Sequence, residues 1–548
     1  MSVFVYLPKH FTLCKGCFMP YDLSLTSVLS WDPIAPLFGC QSIYSCAIDN
    51  CPPYCGYVFL FLLGTILGAM VNWFVDRFGW VQKFRSPWRV LPDPVREYLP
   101  HRWSDYLPVV GWLAMTRFSK LLFPPKNYIR NTYGLSEEEL KKKQGEIEAV
   151  RKLARWRIPG MEHSFFWFRP LLVELGLGAF ILWLYCWQVE LNGMTLEKLF
   201  FFFRDITIQG HNYTSGELTG VFWVYTILFT MLLAASLIDA DDYIIPDLIN
   251  IPGTVLGLVL LTAVPYAVYV PLYWFAPTEQ GVLLPTTDLT QYFQTIAPGN
   301  MLLYLLPLVI MLLCWSLWCF AALDRLWYTK FGLKKAVFLF LRILRRSRIT
   351  PVIALLYPIG VALICWIYFA NPCPLTTTEA TLVSDPYNDE AIVYSIEMSC
   401  RSGLFNALIG MVAGLVLIWV VRIVGRWSLG QESMGFGDVM LMGMLGAFVG
   451  WQGTLIIFFV APFAGVLFGF LRIMLGMQRE IPYGPFLCTA CAVYLLLRNM
   501  FWQFFEPLLN DPLAVLVIFL AGIVLLCVLL WTWRLFQWFL FGATTRKS

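Results

Sequence analysis

Two short stretches, far apart in the chain, place aspartates at the ends of long apolar runs. The first reads Ser236-Leu-Ile-Asp239-Ala-Asp241-Asp242-Tyr-Ile-Ile-Pro246-Asp247, the second Met434-Gly435-Phe-Gly437-Asp438. A carboxylate at a membrane boundary is costly, and functional sites are where such residues persist. Two carboxylates close together cannot both ionise easily and share a proton. One can then take a proton from water while the other protonates a scissile carbonyl. Gly435 and Gly437 suit such a site, because glycine permits unusual backbone angles and lets a substrate strand come close. The plainer reading is that Asp239 and Asp438 are helix-end residues at the membrane interface, and a four-residue GxGD motif does not decide between the two.

The elements that must position these aspartates are membrane helices. Of 548 residues, 59% are hydrophobic, 17% aromatic and only 14% charged, with mean hydropathy +0.66; a soluble chain would carry about 25% charged residues. The composition predicts an all-α polytopic membrane protein, its contact surface being the lipid bilayer. The net charge of +4 gives no sign of nucleic-acid binding. Apolar windows of spanning length lie at about 57–76, 167–187, 219–238, 249–271, 301–323, 351–370, 403–422, 453–474, 483–498 and 512–534. A shorter run at about 439–450 reads as one arm of a hairpin with 453–474, giving about 10–11 segments. The chain divides into a cysteine-rich tail (1–56), a first span (57–76), a basic region (77–166), spans ending in the first aspartate and its successor (167–271), a long block (272–402), spans carrying the GxGD stretch (403–498) and a last span with its tail (499–548).

Lysine and arginine crowd the 77–168 region and the 324–350 loop, whereas 272–300 has neither. The positive-inside rule makes the basic loops cytoplasmic, with the N-terminus outside and the C-terminal Arg546-Lys547 inside. Asp239 ends an outside-to-inside span, and four spans separate it from Asp438. Four is even, so both aspartates fall on the cytoplasmic side; an odd count would forbid a shared site.

At these residues the chain resembles the type IV prepilin peptidases, the bacterial branch of the GxGD membrane aspartic proteases. The first family pattern appears as Ile238-Asp239, Ile245-Pro246-Asp247 and Pro252, and the second as Gly435-Phe-Gly437-Asp438 followed by Gly446-Ala447-Phe448-Val-Gly450-Trp451. Four further blocks keep the family's order: Gly68, Asn72 and Arg77; Asp105-Tyr-Leu107-Pro108-Val-Val-Gly111-Trp112; Arg169-Pro-Leu-Leu-Val173-Glu174; and Ile481-Pro482-Tyr483-Gly484-Pro485-Phe486, where the family has phenylalanine at the third place. The resemblance implies that Asp239 and Asp438 are the catalytic pair. It makes Gly435 and Gly437 the motif glycines and has Pro246, Asp247, Gly484 and Pro485 shape the backbone beside them. It also implies a bacterial inner-membrane enzyme whose partners are prepilin or pseudopilin precursors, cleaved after a glycine at the cytoplasmic face.

Three departures qualify it. Residues 77–168 contain no cysteine, although relatives that also methylate their product commonly carry two Cys-x-x-Cys pairs there, a zinc-binding spacing. No zinc or other cofactor is therefore expected, and S-adenosylmethionine-dependent methylation is in doubt. The chain has about four spans between its aspartates where the family usually has two, and Met440 stands where the family often has lysine. Of the 15 cysteines, Cys14 and Cys17 have zinc or redox spacing in a tail that should be outside; disulfides, free thiols and a later translation start remain alternatives. Cys373 and Cys400 bracket one outer loop and could pair. Two other functions stay open at this stage: a presenilin-like GxGD protease, for which a Pro-Ala-Leu motif is missing, and a transporter or assembly protein, for which hydropathy repeats are missing.

Overall fold

The computed structural model describes residues 54–79, 86, 88, 103–113, 167–190, 215–267, 301–323, 349–370, 379–384, 391–396, 400–429, 434–474 and 483–498, with isolated helical positions between 500 and 532. The tail of residues 1–53 with Cys14 and Cys17, Cys373, the basic stretch 324–348 and most of the last expected span lie outside the described residues.

Nine helices follow one another among the described residues: α1 (Tyr54–Phe78), α2 (Phe168–Tyr185, continued by a π-turn at Cys186–Glu190), α3 (Ser215–Asp242), α4 (Asp247–Ala263), α5 (Met301–Ala321), α6 (Ile349–Ala370), α7 (Cys400–Leu429), α8 (Phe436–Met474) and α9 (Gly484–Leu496). Seven are long and apolar enough to cross a membrane; α4 and α9 are shorter apolar helices. The all-α expectation holds for every one of these elements. The loop before α7 adds a two-stranded antiparallel hairpin, β1 (Glu379–Ser384) with β2 (Ala391–Ile396), in which Glu379 faces Ile396. Cys400, the first residue of α7, is disulfide-bonded, while the seven other described cysteines are free.

In lipid there is little hydrophobic force between helices, so small residues that let backbones touch decide who packs on whom. Two such seams organise the molecule. In α1, a Cβ on Gly64 would lie 2.6 Å from the Cα of Gly178 of α2, and one on Gly68 2.6 Å from the Cα of Glu174. The hydroxyl of Tyr57 donates to Glu190 Oε1 at 2.6 Å at the far end of the same pair. The second seam joins α7 to α8: Cβ atoms on Gly410 and Gly446 would each overlap the other's backbone, and one on Gly414 would overlap the carbonyl of Met442.

The 39-residue α8 is not straight. Gly450 has φ 72 and ψ 178, a conformation that a side chain would strain. Beyond it Gly453 meets Tyr494 near the end of α9, and Phe468 lies 5.8 Å from Phe486 near its beginning. The second arm therefore runs antiparallel to α9 and returns to the level at which α8 began, the hairpin expected from the short run at 439–450. Of the most apolar 18-residue stretch of each helix, 72% is buried in α8, against 33% in α5 and 17% in α6. The bundle core thus lies where α3, α4, α7, α8 and α9 meet, with Phe222, Ala235, Leu261, Leu408, Leu441, Leu445 and Leu487 fully or almost fully enclosed.

Candidate active site

The last turn of α3 presents Asp239, 4% exposed. The chain then breaks from the helix. Tyr243 adopts φ 58, its N–H closes back on the Asp239 carbonyl at 2.9 Å, and Pro246 caps α4 with extended backbone. Asp247 is the first residue of α4, where a negative charge suits the helix dipole. This turn, Tyr243 to Pro246, sets Ile245 against two other segments. A Cβ on Gly437 would stand 3.3 Å from Ile245 Cβ, and one on Gly484 2.8 Å from Ile245 Cδ1. Ile245 is the wedge around which the end of α3, the start of α8 and the start of α9 converge.

Asp239 Oδ2 accepts a hydrogen bond from the backbone N–H of Gly484 at 3.0 Å. Gly484 opens α9, so this carboxylate lies at a helix N-terminus, the favourable end for a negative group. A Cβ at Gly484 would overlap Asp239 Oδ2, so glycine there is what allows the contact. Pro485 follows at the start of the helix, where the missing N–H costs nothing.

Asp438 is supported differently. It lies in the first turn of α8, accepts the N–H of Gly435 and is near enough to Asp239 for the two carboxylates to feel each other's charge. Behind it, Asn250 of α4, fully buried, donates from Nδ2 to the Gly437 carbonyl at 3.4 Å.

The structure thus brings Asp239, Asp438, Gly435, Gly437, Pro246, Asp247, Gly484 and Pro485 to one place. Asp241 turns away to pair with Arg169 of α2 at 3.0 Å. Reasoning from sequence missed Ile245, Asn250 and Tyr483 as contributors. The tyrosine was visible as a departure from phenylalanine in its block. It precedes Gly484 as the N-cap residue of α9, and its ring lies 6.4 Å from that of Phe486. No group of three His, Cys, Asp or Glu side chains suited to a metal ion occurs among the described residues.

A second polar cluster forms one helix away. Glu174, fully buried, accepts the Val109 N–H at 2.6 Å on Oε2. Its Oε1 takes Trp112 Nε1 at 2.7 Å and Asn72 Nδ2 at 3.2 Å. Asn72 also donates to the Pro170 carbonyl at 2.9 Å. Three of the six sequence blocks meet here, not at the aspartates.

The structure is a polytopic helical bundle in which two aspartates at helix ends, Asp239 and Asp438, come near enough to influence each other. Residues 391–470, which hold α7, the GxGD motif and most of α8, match the type IV leader peptidase family. The resemblance read from the motifs holds over this part of the chain. Similar proteins include the prepilin leader peptidase/N-methyltransferases of Aeromonas salmonicida, 35% identical over 96 residues, of Stutzerimonas stutzeri, 37% over 100, and of Pseudomonas aeruginosa, 34% over 98. Each match takes in 17% of this chain and 33% or 34% of the relative, so the chain spans about a third of the length of the curated relatives it matches. No solved structure matches the chain.

Proposed function

We propose that this chain is a membrane aspartic endopeptidase that removes the leader from type IV pilin-like or type II secretion pseudopilin precursors, cutting after a glycine at the cytoplasmic face of a bacterial inner membrane. The observation that carries the reading is the meeting of Asp239 and Asp438 across four intervening helices, with a backbone N–H from a different segment on each carboxylate. The local match to the type IV leader peptidase family points the same way.

In this reading the pair holds one proton between them. The ionised carboxylate takes a proton from water, and the water oxygen bonds to the carbonyl carbon of the scissile glycine. The protonated carboxyl hands its proton to the carbonyl oxygen, giving a neutral tetrahedral diol. Collapse breaks the C–N bond: the leaving amine takes a proton from the carboxyl that gained one, a diol hydroxyl returns its proton to the other carboxylate, and a new carboxyl terminus and an amine result, with the pair again holding one proton. A substrate with a basic leader and an apolar helix fits the sidedness: the leader stays inside and the helix lies in the bilayer. With no cysteine pairs in 77–168, methylation of the product is left out of the proposal, although the relatives' names include it.

The test is co-expression with a pilin-like precursor in cells lacking their own peptidase. Leader removal by the parent chain, lost in Asp239→Asn and in Asp438→Asn, supports the reading. Removal that persists in either variant overturns the mechanism, and no removal from any glycine-site precursor overturns the function. Mass spectrometry of the product's N-terminus reads methylation separately.

A further inference from the structure

The segment 103–113 lies between α1 and α2 in sequence and docks against Glu174 of α2, which also holds Asn72 of α1. Its inward side is enclosed: Asp105, Gly111 and Trp112 are buried, and a Cβ on Gly111 would overlap the carbonyl of Asp105. Its outward side is apolar. Trp103, Tyr106, Leu107, Val110 and Leu113 are each between 42% and 80% exposed, an unusual display for a surface in water.

The Glu174 cluster fixes the depth at which this display sits. Glu174 is six residues inside the start of α2 and Asn72 six residues inside the end of α1, or about 9 Å along either axis at 1.5 Å per residue. Helical side chains lean toward the N-terminus, which for α2 brings the carboxylate back by up to about one turn, toward the Pro170 carbonyl that shares Asn72. The Val109 N–H on Glu174 Oε2 therefore lies about 4–9 Å inside the helix ends. The apolar spans Cys55–Phe78 and Phe168–Glu190 have 24 and 23 residues, about 35 Å, and overhang a 30 Å hydrocarbon core by only some 3 Å at each end. The segment is thus level with the headgroup–acyl boundary and not out in the aqueous phase. Tryptophan and tyrosine prefer that level. The local backbone serves this placement: Val109 takes φ 60, strained for a β-branched residue, and in doing so aims its N–H at the buried carboxylate.

We propose that residues 103–113 form a membrane-interfacial element, inserted into the leaflet that also holds the Asp239 end of α3, with Trp103, Tyr106, Leu107, Val110 and Leu113 in contact with lipid. The occupant is lipid because the surface is level with the lipid-facing sides of α1 and α2, on which Met70 and Leu172 are exposed. Glu174 holds the element down by taking its N–H groups. The inference needs α1 and α2 to span the bilayer and does not need the peptidase reading.

The experiment places a photo-crosslinking benzoylphenylalanine at position 107 or 110 of the full chain, in nanodiscs of phosphatidylethanolamine and phosphatidylglycerol, with position 62 of α1 as the lipid-facing standard. Lipid adducts at 107 and 110 are expected at about the yield seen at 62, as for an interfacial helix face. A yield down by more than about tenfold at both positions, with position 62 still labelled, overturns the proposal, because a side chain in water does not meet acyl chains. Adducts to protein in place of lipid overturn it equally. The readout is lipid contact and not leader cleavage, so loss of cleavage elsewhere would leave the result standing.

Discussion

The end of α3 and the start of α8 each deliver an aspartate to the same place, but by different means. Asp438 is held locally: its N–H partner, Gly435, is three residues away, and its helix is fixed by the glycine seam with α7. Asp239 is held at long range by the N–H of Gly484, 245 residues on, while the Ile245 wedge touches both sides, at Gly484 and at Gly437. A neighbour two residues beyond it, Asp241, is tied to α2 through Arg169. A local support survives as a short motif. A long-range support exists only if several helices pack correctly, so the α3 side should be the more sensitive to remote changes.

The largest effect tests the one property the two sides share. If the aspartates act as a pair, Asp239→Asn and Asp438→Asn should each abolish cleavage by at least about 10³-fold, and the double variant should be no worse, since residues that work as a unit are not additive. Leader cleavage in membranes of the three variants, normalised to protein level, reads this. Additive losses would separate the two sites.

Next, the glycines separate the sides by space alone. Alanine at 484 overlaps Asp239 Oδ2 and presses Ile245, alanine at 437 stands 3.3 Å from Ile245, and alanine at 435 meets nothing nearer than Asp438 Oδ2 at 3.5 Å. Cleavage should fall in the order Gly484→Ala, Gly437→Ala, Gly435→Ala: about 10²-fold for the first, as for an ångström's misplacement, and about threefold or less for the last. The residue outside the four-letter motif is then the more demanding one. An equal loss at 435 and 484 would refute the steric argument.

This contrast also explains what was legible in the chain. Asp438 and its glycines stand together in sequence, and their surroundings match a known family over 391–470. Four apolar helices between the aspartates could be counted from hydropathy, although α4 is shorter than the full span expected there, and the reversal of α8 follows from a run too short to cross. The Gly484–Asp239 bond could not be read, because nothing in either stretch names the other; only packing brings an α9 N-terminus to an α3 C-terminus. The same holds for Asn72, Val109, Trp112 and Glu174. Each lay in or beside a recognisable block, yet their convergence on one buried carboxylate depends on Gly64 and Gly68 letting α1 and α2 touch. The hairpin of β1 and β2 was missed because two six-residue runs without strict alternation are a weak signal in a polar loop. Asn250 carried no signal beyond being a polar residue in an apolar helix.

A change at Glu174 reaches the α3 side through α2. Three N–H groups converge on its two oxygens, so Glu174→Gln must turn an NH₂ toward a donor. The cost should be about 1–3 kcal/mol of stability, seen as a lower unfolding temperature in nanodiscs. Because Arg169 lies five residues before Glu174 on the same helix, cleavage should fall along with it. Unchanged melting would show that the cluster does not hold α2 in place.

The smallest effect is the most discriminating. Arg169 is half exposed and Asp241 about one-tenth, so their ion pair is worth about 1 kcal/mol at most, or roughly fivefold in rate if all of it goes into placing Asp239. Arg169→Ala should lower kcat by that much with little change in KM, and Arg169→Asp combined with Asp241→Arg should recover part of the loss. The comparison of the two sides turns on a double-variant cycle. Arg169→Ala and Gly484→Ala both disturb the support of Asp239 and should give less than the product of their separate effects, since coupled sites are not additive. Arg169→Ala and Gly435→Ala act on opposite sides and should multiply. If the coupling is found with Gly435 and not with Gly484, the tie through α2 serves the start of α8, and the long-range support of Asp239 rests on α9 alone.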